Sequence, residues 1–572
     1  MCNVTQSYVH GSNCEPLLGQ TVGLTLEKTV YRHRENLALV SRHQDIRWTW
    51  DELQTEVDTF AAGLVALGLE RGDRVGIWSP NCAEWVITQF ATAKAGLILV
   101  NINPAYRLSE LEYALNRVGV KALITAEAFK SSRYLDMIRE LAPELRTSKP
   151  GELRSKRLPA LQSVIVIGAD PQEGCFSFEG IEGLATASHL AMLNVIKSRL
   201  QFDDPINIQF TSGTTGSPKP ATLTHHNIVN NAYFVGLGMH LTEEDILCVP
   251  VPLYHCFGMV LGVLAATVHG STIVLPSPVF KAQSVLEAVE EEKCTALHGV
   301  PTMFIAALEE TDFDRYDLSS LRTGVMAGAP CPVELMKEVS ERMHMSEITI
   351  GYGMTETSPV TFQTSIDDSF ERRVATVGRV MPHTEAKVVD ESGRVAPPGV
   401  SGELLTRGYC VMQCYWDDPV NTAESIDAGG WMHTGDIATI DGSGYGRIVG
   451  RIKDMVIRGG ENLFPREIEE FLYRHPKIEE VEVFGVPDAK YGEELCAWIL
   501  LAHGESATEE EIRAFCDGQI AYHKIPRYIR FVDRFPMTAT GKVQKFKMRD
   551  TMVRELGASG APCGVNEAMH AM

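Results

Sequence analysis

An alternation of apolar strands and capped helices, beginning near residue 73, leaves this chain few architectures. Asp73–Trp78 reads as a strand, and Asn81-Cys82-Ala83-Glu84 has the form of a capping box opening a helix that runs to Ala95. Gly96 ends that helix and Leu97–Val100 is apolar again. Ser109-Glu110-Leu111-Glu112 has the form of a second capping box, with Lys121–Ile124 as the strand after its helix. Val164–Ile167, Ile206–Phe210, Ile246–Val251, Thr272–Leu275, Leu297–Val300, Thr323–Met326 and Ile348–Ile350 continue the series. Met259–Val268 reads as a buried helix and Lys281–Lys293 as an amphipathic one. Strands alternating with helices pair in parallel and need helices on both faces.

After residue 377 the pattern changes to short strands with Gly and Pro turns, such as Pro397-Pro398-Gly399, which predicts a β-rich subdomain. A boundary is expected near Arg451. Downstream the order is strand (Asp454–Ile457), helix (Arg466–Tyr473), two strands (Val481–Phe484, Cys496–Leu501), a helix and a strand (Tyr528–Val532). That second helix is capped by Thr508-Glu509-Glu510-Glu511. The fold class expected is therefore α/β: a large N-terminal domain (1–450) of helix-covered, mostly parallel sheets with a β-rich subdomain, then a small mobile α+β domain (451–556). The tail 557–572 is expected to be disordered.

Composition narrows the partners. The 572 residues carry a net charge of −22, which argues against nucleic acid or an anionic membrane as the main partner. Thirteen cysteines, odd in number and without CxxC pairs, indicate neither a disulfide framework nor a zinc site, and suit a reducing compartment. The longest apolar run, near Val260–Val268, is far short of the ~20 residues of a membrane span. The N-terminus shows neither the charged start and apolar core of a secretory signal nor an Arg-rich amphipathic presequence.

Five stretches stand out chemically. Thr211-Ser212-Gly213-Thr214-Thr215-Gly216-Ser217-Pro218-Lys219 follows a strand and precedes a helix expected from about His225. Its glycines permit close backbone approach, its hydroxyls add donors and Lys219 adds a charge, which suits a polyphosphate, although the spacing GxxxxGK[ST] is absent. An ordinary loop is the other reading. Gly351-Tyr352-Gly353-Met354-Thr355-Glu356 follows a strand and offers a flat ring, a hydroxyl and a carboxylate, or else a turn with a packed tyrosine. Asp436, after Trp431-Met432-His433-Thr434-Gly435, either accepts from two ribose hydroxyls or closes a turn. Gly450–Asp454 with Arg458–Asn462 is charged and glycine-dense, as a hinge requires. Lys542, in Pro536–Lys545, projects from a turn, either into a site or into solvent.

In this order the stretches TSGTTGSPK, PLYHCFG, GYGMTETSPV, GELLTRGY, WMHTGD, GRIKDMVIRGGEN and PMTATGK resemble the adenylate-forming superfamily of acyl-CoA synthetases, peptide-synthetase adenylation domains and luciferases, from about residue 20 to 555. Details such as NPAYRLSELEYAL are most similar to its medium-chain fatty acid ligases. The resemblance implies ATP-dependent joining of a fatty acid to coenzyme A through an acyl-adenylate, with Mg²⁺, and a mitochondrial address or, failing a presequence, a cytoplasmic one. By matched positions, Thr211–Lys219 would cradle the β- and γ-phosphates. Gly328-Ala329-Pro330 and Tyr352 would hold adenine, Thr355 the α-phosphate and Glu356 the metal. Asp436 and Arg451 would take the ribose, and Lys453 would be the hinge. Lys542 would reach the α-phosphate and the attacking carboxylate, and Gly459 with Gly460 would line the pantetheine path. The acyl pocket would draw on His255, Cys256, Phe257, Thr302, Met326, Pro359 and Val360, which suit an alkyl chain better than an ammonium-bearing acid. His255 is either a gate over the acyl tunnel or a histidine bonded to the backbone of the sheet. Pro220 stands where the family has glycine; it removes an N–H and drives Lys219 out of the α region. An aryl-acid CoA ligase and a non-catalytic nucleotide- or acyl-binding chain are the alternatives.

Overall fold

The computed structural model describes residues 5–168, 172–211, 218–459, 461–488, 490–538 and 543–558. The chain divides into two compact units. One comprises His10–Glu385 with Thr406–Met432, and the other Met1–Val9, Ala386–Leu405 and His433–Met572.

Two large sheets form the first unit. An eight-stranded sheet runs in the order Cys414–Tyr415, Lys219–Thr224, Pro205–Thr211, Ile98–Asn101, Arg74–Trp78, Val120–Ala126, Ser163–Ile167, Phe176–Ser177. It is parallel from Pro205–Thr211 onward and antiparallel over its first three strands. A nine-stranded sheet is parallel through its middle, from Glu347–Gly353 to Leu37–Ser41, with antiparallel strands at both ends. The alternation in the sequence is thus realised as mostly parallel sheets between helices. Trp50, Phe60, Trp85 and Phe90 are fully buried among them.

Two helix starts differ from expectation. The helix after Trp78 spans Ala83–Lys94, but the Cys82 side chain does not cap it and lies instead 3.5 Å from the Ser79 hydroxyl. Asn81 is occupied elsewhere: its amide donates to the Val251 carbonyl at 3.0 Å and its carbonyl accepts from the Leu253 N–H at 2.8 Å. The next helix begins at Leu108, one residue before the expected box, and Glu110 folds back to accept from the Arg107 N–H at 2.9 Å. The apolar run expected as one helix is a π-helix, Phe257–Leu264, followed by the α-helix Ala265–His269.

The second unit holds a five-stranded sheet, ordered Tyr8–His10, Thr384–Val389, Gly402–Gly408, Met432–Ile440, Gly446–Arg451, which carries the short strands expected after residue 377. It also holds a five-stranded sheet built on the long antiparallel pair Ile478–Asp488 and Gly492–Leu501. The helices Pro465–Leu472, Glu509–Cys516 and Lys545–Ala558 accompany it. Thr508 caps its helix as expected, accepting from the Glu511 N–H at 3.2 Å. The final helix was not expected: among its described side chains only Met548 and Met552, one turn apart, are buried, in an otherwise charged run.

Candidate active site

The glycine-rich stretch joins two antiparallel strands, Pro205–Thr211 and Lys219–Thr224, rather than leading straight into a helix. Ser212–Ser217 lie outside the described residues. Thr211 and Lys219 are paired across the ladder, and the Thr211 hydroxyl donates to the Lys219 carbonyl at 3.4 Å. The Tyr113 hydroxyl donates to the Pro218 carbonyl at 3.1 Å. The helix His225–Gly238 then starts from a reciprocal cap: the Thr224 hydroxyl accepts from the Asn227 N–H, and the Asn227 side chain from the Thr224 N–H.

Pro220 fits this geometry. Its preference for an extended preceding residue matches Lys219, which lies in the strand. The Pro220 carbonyl accepts from the Trp416 N–H at 2.8 Å, beyond the end of the two-residue strand Cys414–Tyr415. In an antiparallel ladder a residue's nitrogen faces the same neighbour as its carbonyl, so the missing N–H falls at a strand end.

At the carboxyl ends of the nine-stranded sheet, Thr323–Ala327 runs into Gly328, whose φ of +88° favours glycine. Gly328, Ala329 and Pro330 are exposed there. The neighbouring strand Glu347–Gly353 ends on Tyr352, half-buried and edge-on to Phe362 at 6.3 Å. GYG therefore closes the strand instead of following it. A Cβ on Gly353 would lie 1.8 Å from the Pro359 carbonyl oxygen, so only glycine fits. Beyond it, a single 3₁₀ turn over Thr355–Thr357 presents Thr355 and buries Glu356. The Glu356 carbonyl accepts from the Met412 N–H at 2.8 Å, and its carboxylate Oε1 accepts from the Tyr415 hydroxyl at 2.8 Å. Tyr415 was not singled out in the sequence. Burial, reinforced by Glu356, holds its phenol well above the usual range, so it remains a donor.

Of the pocket residues, Cys256, Phe257 and Val360 share one buried apolar cluster, and Pro359 precedes Val360. The Cys256 sulfur lies 3.8 Å from the Thr355 hydroxyl. Met326 bridges Gly299, and Thr302 stands in the first turn of the helix Pro301–Leu308. His255 Nδ1 accepts from the Phe257 N–H, at the start of the π-helix, at 3.2 Å. His298 ties the walls together. Its Nδ1 accepts from the Val325 N–H at 3.2 Å, which leaves Nε2–H to donate to the Leu261 carbonyl of the π-helix at 2.9 Å. Full burial pushes its pKa down to about 4, keeping it neutral.

In the second unit Asp436 and Arg451 are directly opposed on neighbouring strands, with Arg451 Nε 2.9 Å from Asp436 Oδ1. Asp436 is buried and the Arg451 side chain is 55% exposed. Lys453 lies exposed in the 3₁₀ turn Ile452–Asp454 that follows. Arg458 and Glu461 close a tight hairpin around Gly459, whose φ is +60°. Gly460 lies outside the described residues. The Gly459 N–H donates to the Tyr491 carbonyl at 2.8 Å, and Arg458 forms a two-pronged pair with the buried Glu494 at 2.8 and 2.9 Å. Lys542 also lies outside the described residues. Its segment is closed at the base by a Met537–Val543 bridge and by the Gln544 N–H donating to the Pro536 carbonyl at 2.7 Å. Three residues on, the Lys545 ammonium contacts Glu469, Glu482 and the Val483 carbonyl.

A phosphate would meet a hairpin loop ending in a lysine, and Glu356 suits Mg²⁺, which binds through one or two carboxylates plus substrate oxygens. Among the described residues no group of three or more His, Cys, Asp or Glu could hold a metal on its own, and no helix is long and apolar enough to cross a membrane.

The chain matches the AMP-binding enzyme family over residues 26–416 and the AMP-binding enzyme C-terminal domain over residues 467–542. It is 50% identical to the mitochondrial medium-chain acyl-CoA ligase ACSF2 of Danio rerio over 557 residues, 97% of this chain and 92% of that one. Identity to the putative acyl-CoA synthetase YngI of Bacillus subtilis is 48%, covering 95% and 99%. Among solved structures it resembles the anthranilate CoA ligase AuaEII in complex with anthranoyl-AMP, with a TM-score of 0.84 at 29% identity over 95% of this chain and 99% of that one. ATP-bound MatB of Rhodopseudomonas palustris gives 0.80 at 27%, covering 93% and 99%. With its glycine-rich hairpin, its Tyr352–Glu356 strand end and both family domains in order, the chain belongs to the AMP-binding enzyme family, among its adenylate-forming acyl-CoA synthetases.

Proposed function

We propose that this chain joins a medium-chain fatty acid to coenzyme A in two steps, the carboxylate first attacking ATP to give an acyl-adenylate and pyrophosphate, and the CoA thiol then displacing AMP. The observation that carries this reading is the pairing of the Lys219 hairpin with the Thr355–Glu356 turn in one unit, on a chain half-identical to medium-chain ligases. Thr211–Lys219 would take the β- and γ-phosphates, Gly328–Pro330 and Tyr352 the adenine, and Thr355 the α-phosphate. Asp436 and Arg451 would bind the ribose, and Gly459 with Gly460 would line the thiol's path. Glu356 would hold Mg²⁺, which when bound offsets charge on the phosphate oxygens. The apolar surroundings of Cys256, Phe257 and Val360 favour an alkyl chain. The same curated relatives are mitochondrial, and we propose that address here; the Bacillus relative of similar identity marks it as separable from the chemistry.

The test is ATP-to-AMP turnover with CoA across short, medium and long fatty acids and a set of aryl acids. The expected result is the highest kcat/KM at medium chains. Preference for an aryl acid would replace the substrate class, and absence of AMP with every acid would leave only a binding protein.

We place the hinge at Lys453. The Arg447–Glu470 ion pair that links the strand Gly446–Arg451 to the helix Pro465–Leu472 is exposed, worth at most about 1 kcal/mol, and does not lock it. Lys453→Pro is expected to leave ATP–pyrophosphate exchange near wild type while acyl-CoA formation falls at least ~10-fold. Unchanged overall turnover would remove the hinge from this position.

A further inference from the structure

Tyr415 touches both charged residues on which the proposed adenylation step depends. It lies in the strand Cys414–Tyr415, opposite Ala221 of the strand that begins with Lys219, and is only 4% exposed. Its ring centroid is 5.2 Å from the Lys219 ammonium, and its hydroxyl donates to Glu356 Oε1 at 2.8 Å. The backbone around it is fixed on every side. The Gln413 N–H donates to the Thr222 carbonyl at 2.9 Å, and the Trp416 N–H to the Pro220 carbonyl. The Tyr415 N–H itself donates to the Thr422 hydroxyl at 3.0 Å.

A cation and a carboxylate placed this close to one ring have an obvious alternative, which is each other. Such a pair would occupy the charge that a polyphosphate and its metal need. Among the described residues the contact shown for the Lys219 ammonium is the Tyr415 ring and that for the Glu356 carboxylate is the Tyr415 hydroxyl, with no ion pair within 4.0 Å between the two. The ring face holds the ammonium by its quadrupole without neutralising it. The hydroxyl fixes the rotation of the carboxylate through a charge-assisted bond.

Resting on the function proposed above, we propose that Tyr415 is a positioning residue of the adenylation step, a spacer whose ring holds Lys219 and whose hydroxyl holds Glu356, so that the two present their charges to MgATP instead of to one another. Tyr415→Phe then keeps the ring and loses the carboxylate's partner, whereas Tyr415→Leu loses both contacts.

Calorimetric titration with ATP, with and without Mg²⁺, reads this independently of turnover. In Tyr415→Phe the gain in ATP affinity conferred by Mg²⁺ is expected to shrink at least about 10-fold, the low end for one charge-assisted bond, with metal-free ATP binding changed less than twofold. In Tyr415→Leu metal-free ATP binding is expected to weaken as well, because Lys219 is released. Pyrophosphate exchange should need correspondingly more Mg²⁺ in Tyr415→Phe, while thioester formation from preformed acyl-adenylate falls much less. An unaltered Mg²⁺ effect in Tyr415→Phe at an unchanged Tm would overturn the proposal. So would equal loss in both half-reactions with a lowered Tm, which marks a packing residue only. Wild-type exchange and Mg²⁺-dependent ATP binding, measured first, test the function itself, and the variant-to-wild-type ratios test Tyr415.

Discussion

Lys542→Ala is expected to abolish adenylate formation, by about 10²–10³ in rate, while sparing the formation of acyl-CoA from preformed acyl-adenylate. Adenylation brings a carboxylate anion against a polyphosphate, and negative charge gathers on the oxygens around the α-phosphorus as the new bond forms. A cation aimed at that point is worth most in the transition state and little in the ground state, so its loss falls on kcat. Thioester formation has a different demand. AMP leaves an acyl carbon and no second anion approaches phosphorus, so the same ammonium has nothing to stabilise. Among the described residues, the Met537–Val543 bridge and the Gln544–Pro536 bond join the chain on either side of that segment. Pyrophosphate exchange and single-turnover thioester formation check the split. Equal loss in both half-reactions would remove the lysine from the proposed role.

Much of the architecture was legible because it rests on local chemistry. The helix from His225 and the helix capped by Thr508 start where the sequence placed them, since a hydroxyl three residues ahead of a free N–H needs no distant partner. What escaped depends on partners far along the chain. Asn81 looked like a cap, yet Val251 and Leu253, about 170 residues away, claim its amide. The strand Lys219–Thr224 holds a proline and two threonines and carries no alternation; its pairing with Pro205–Thr211 on one side and Cys414–Tyr415 on the other makes it a strand. The site divides in the same way. Its glycines, Tyr352 and Glu356 announce themselves by spacing. Tyr415 is one aromatic in a packed run until Glu356, 59 residues upstream, is seen to accept its hydroxyl's hydrogen bond. A strand read from alternating residues says which face is buried, never which carboxylate waits there.

Lys545→Met is expected to destabilise the second unit more than any other single change described above, and more at pH 8 than at pH 6. The ammonium of Lys545, a quarter exposed, lies between Glu469 and Glu482, both at least four-fifths buried. Burial works to discharge the lysine, and the two carboxylates outweigh it, so its pKa is held above the ordinary value and it stays charged throughout the neutral range. Glu482 feels the reverse. Burial, Glu469 and Glu480 push its pKa up against the pull of Lys545, to about 7. A carboxyl raised in the folded state contributes stability that is present below its ordinary pKa and lost as pH climbs through the folded value. Removing the ammonium deletes the one attraction that opposes this, so the loss between pH 6 and 8 steepens. Taking one partner from a buried pair costs about 3–5 kcal/mol, and the partial exposure of Lys545 places the expected cost at pH 8 near 3 kcal/mol. Glu482→Gln in the same background should recover part of it by removing a charge left without compensation, a coupling that a double-mutant cycle measures directly. Calorimetric unfolding of wild type, Lys545→Met and the double variant at both pH values decides the matter. A single-variant loss that is the same at pH 6 and 8, with no recovery in the double variant, would mean that the lysine contributes packing alone.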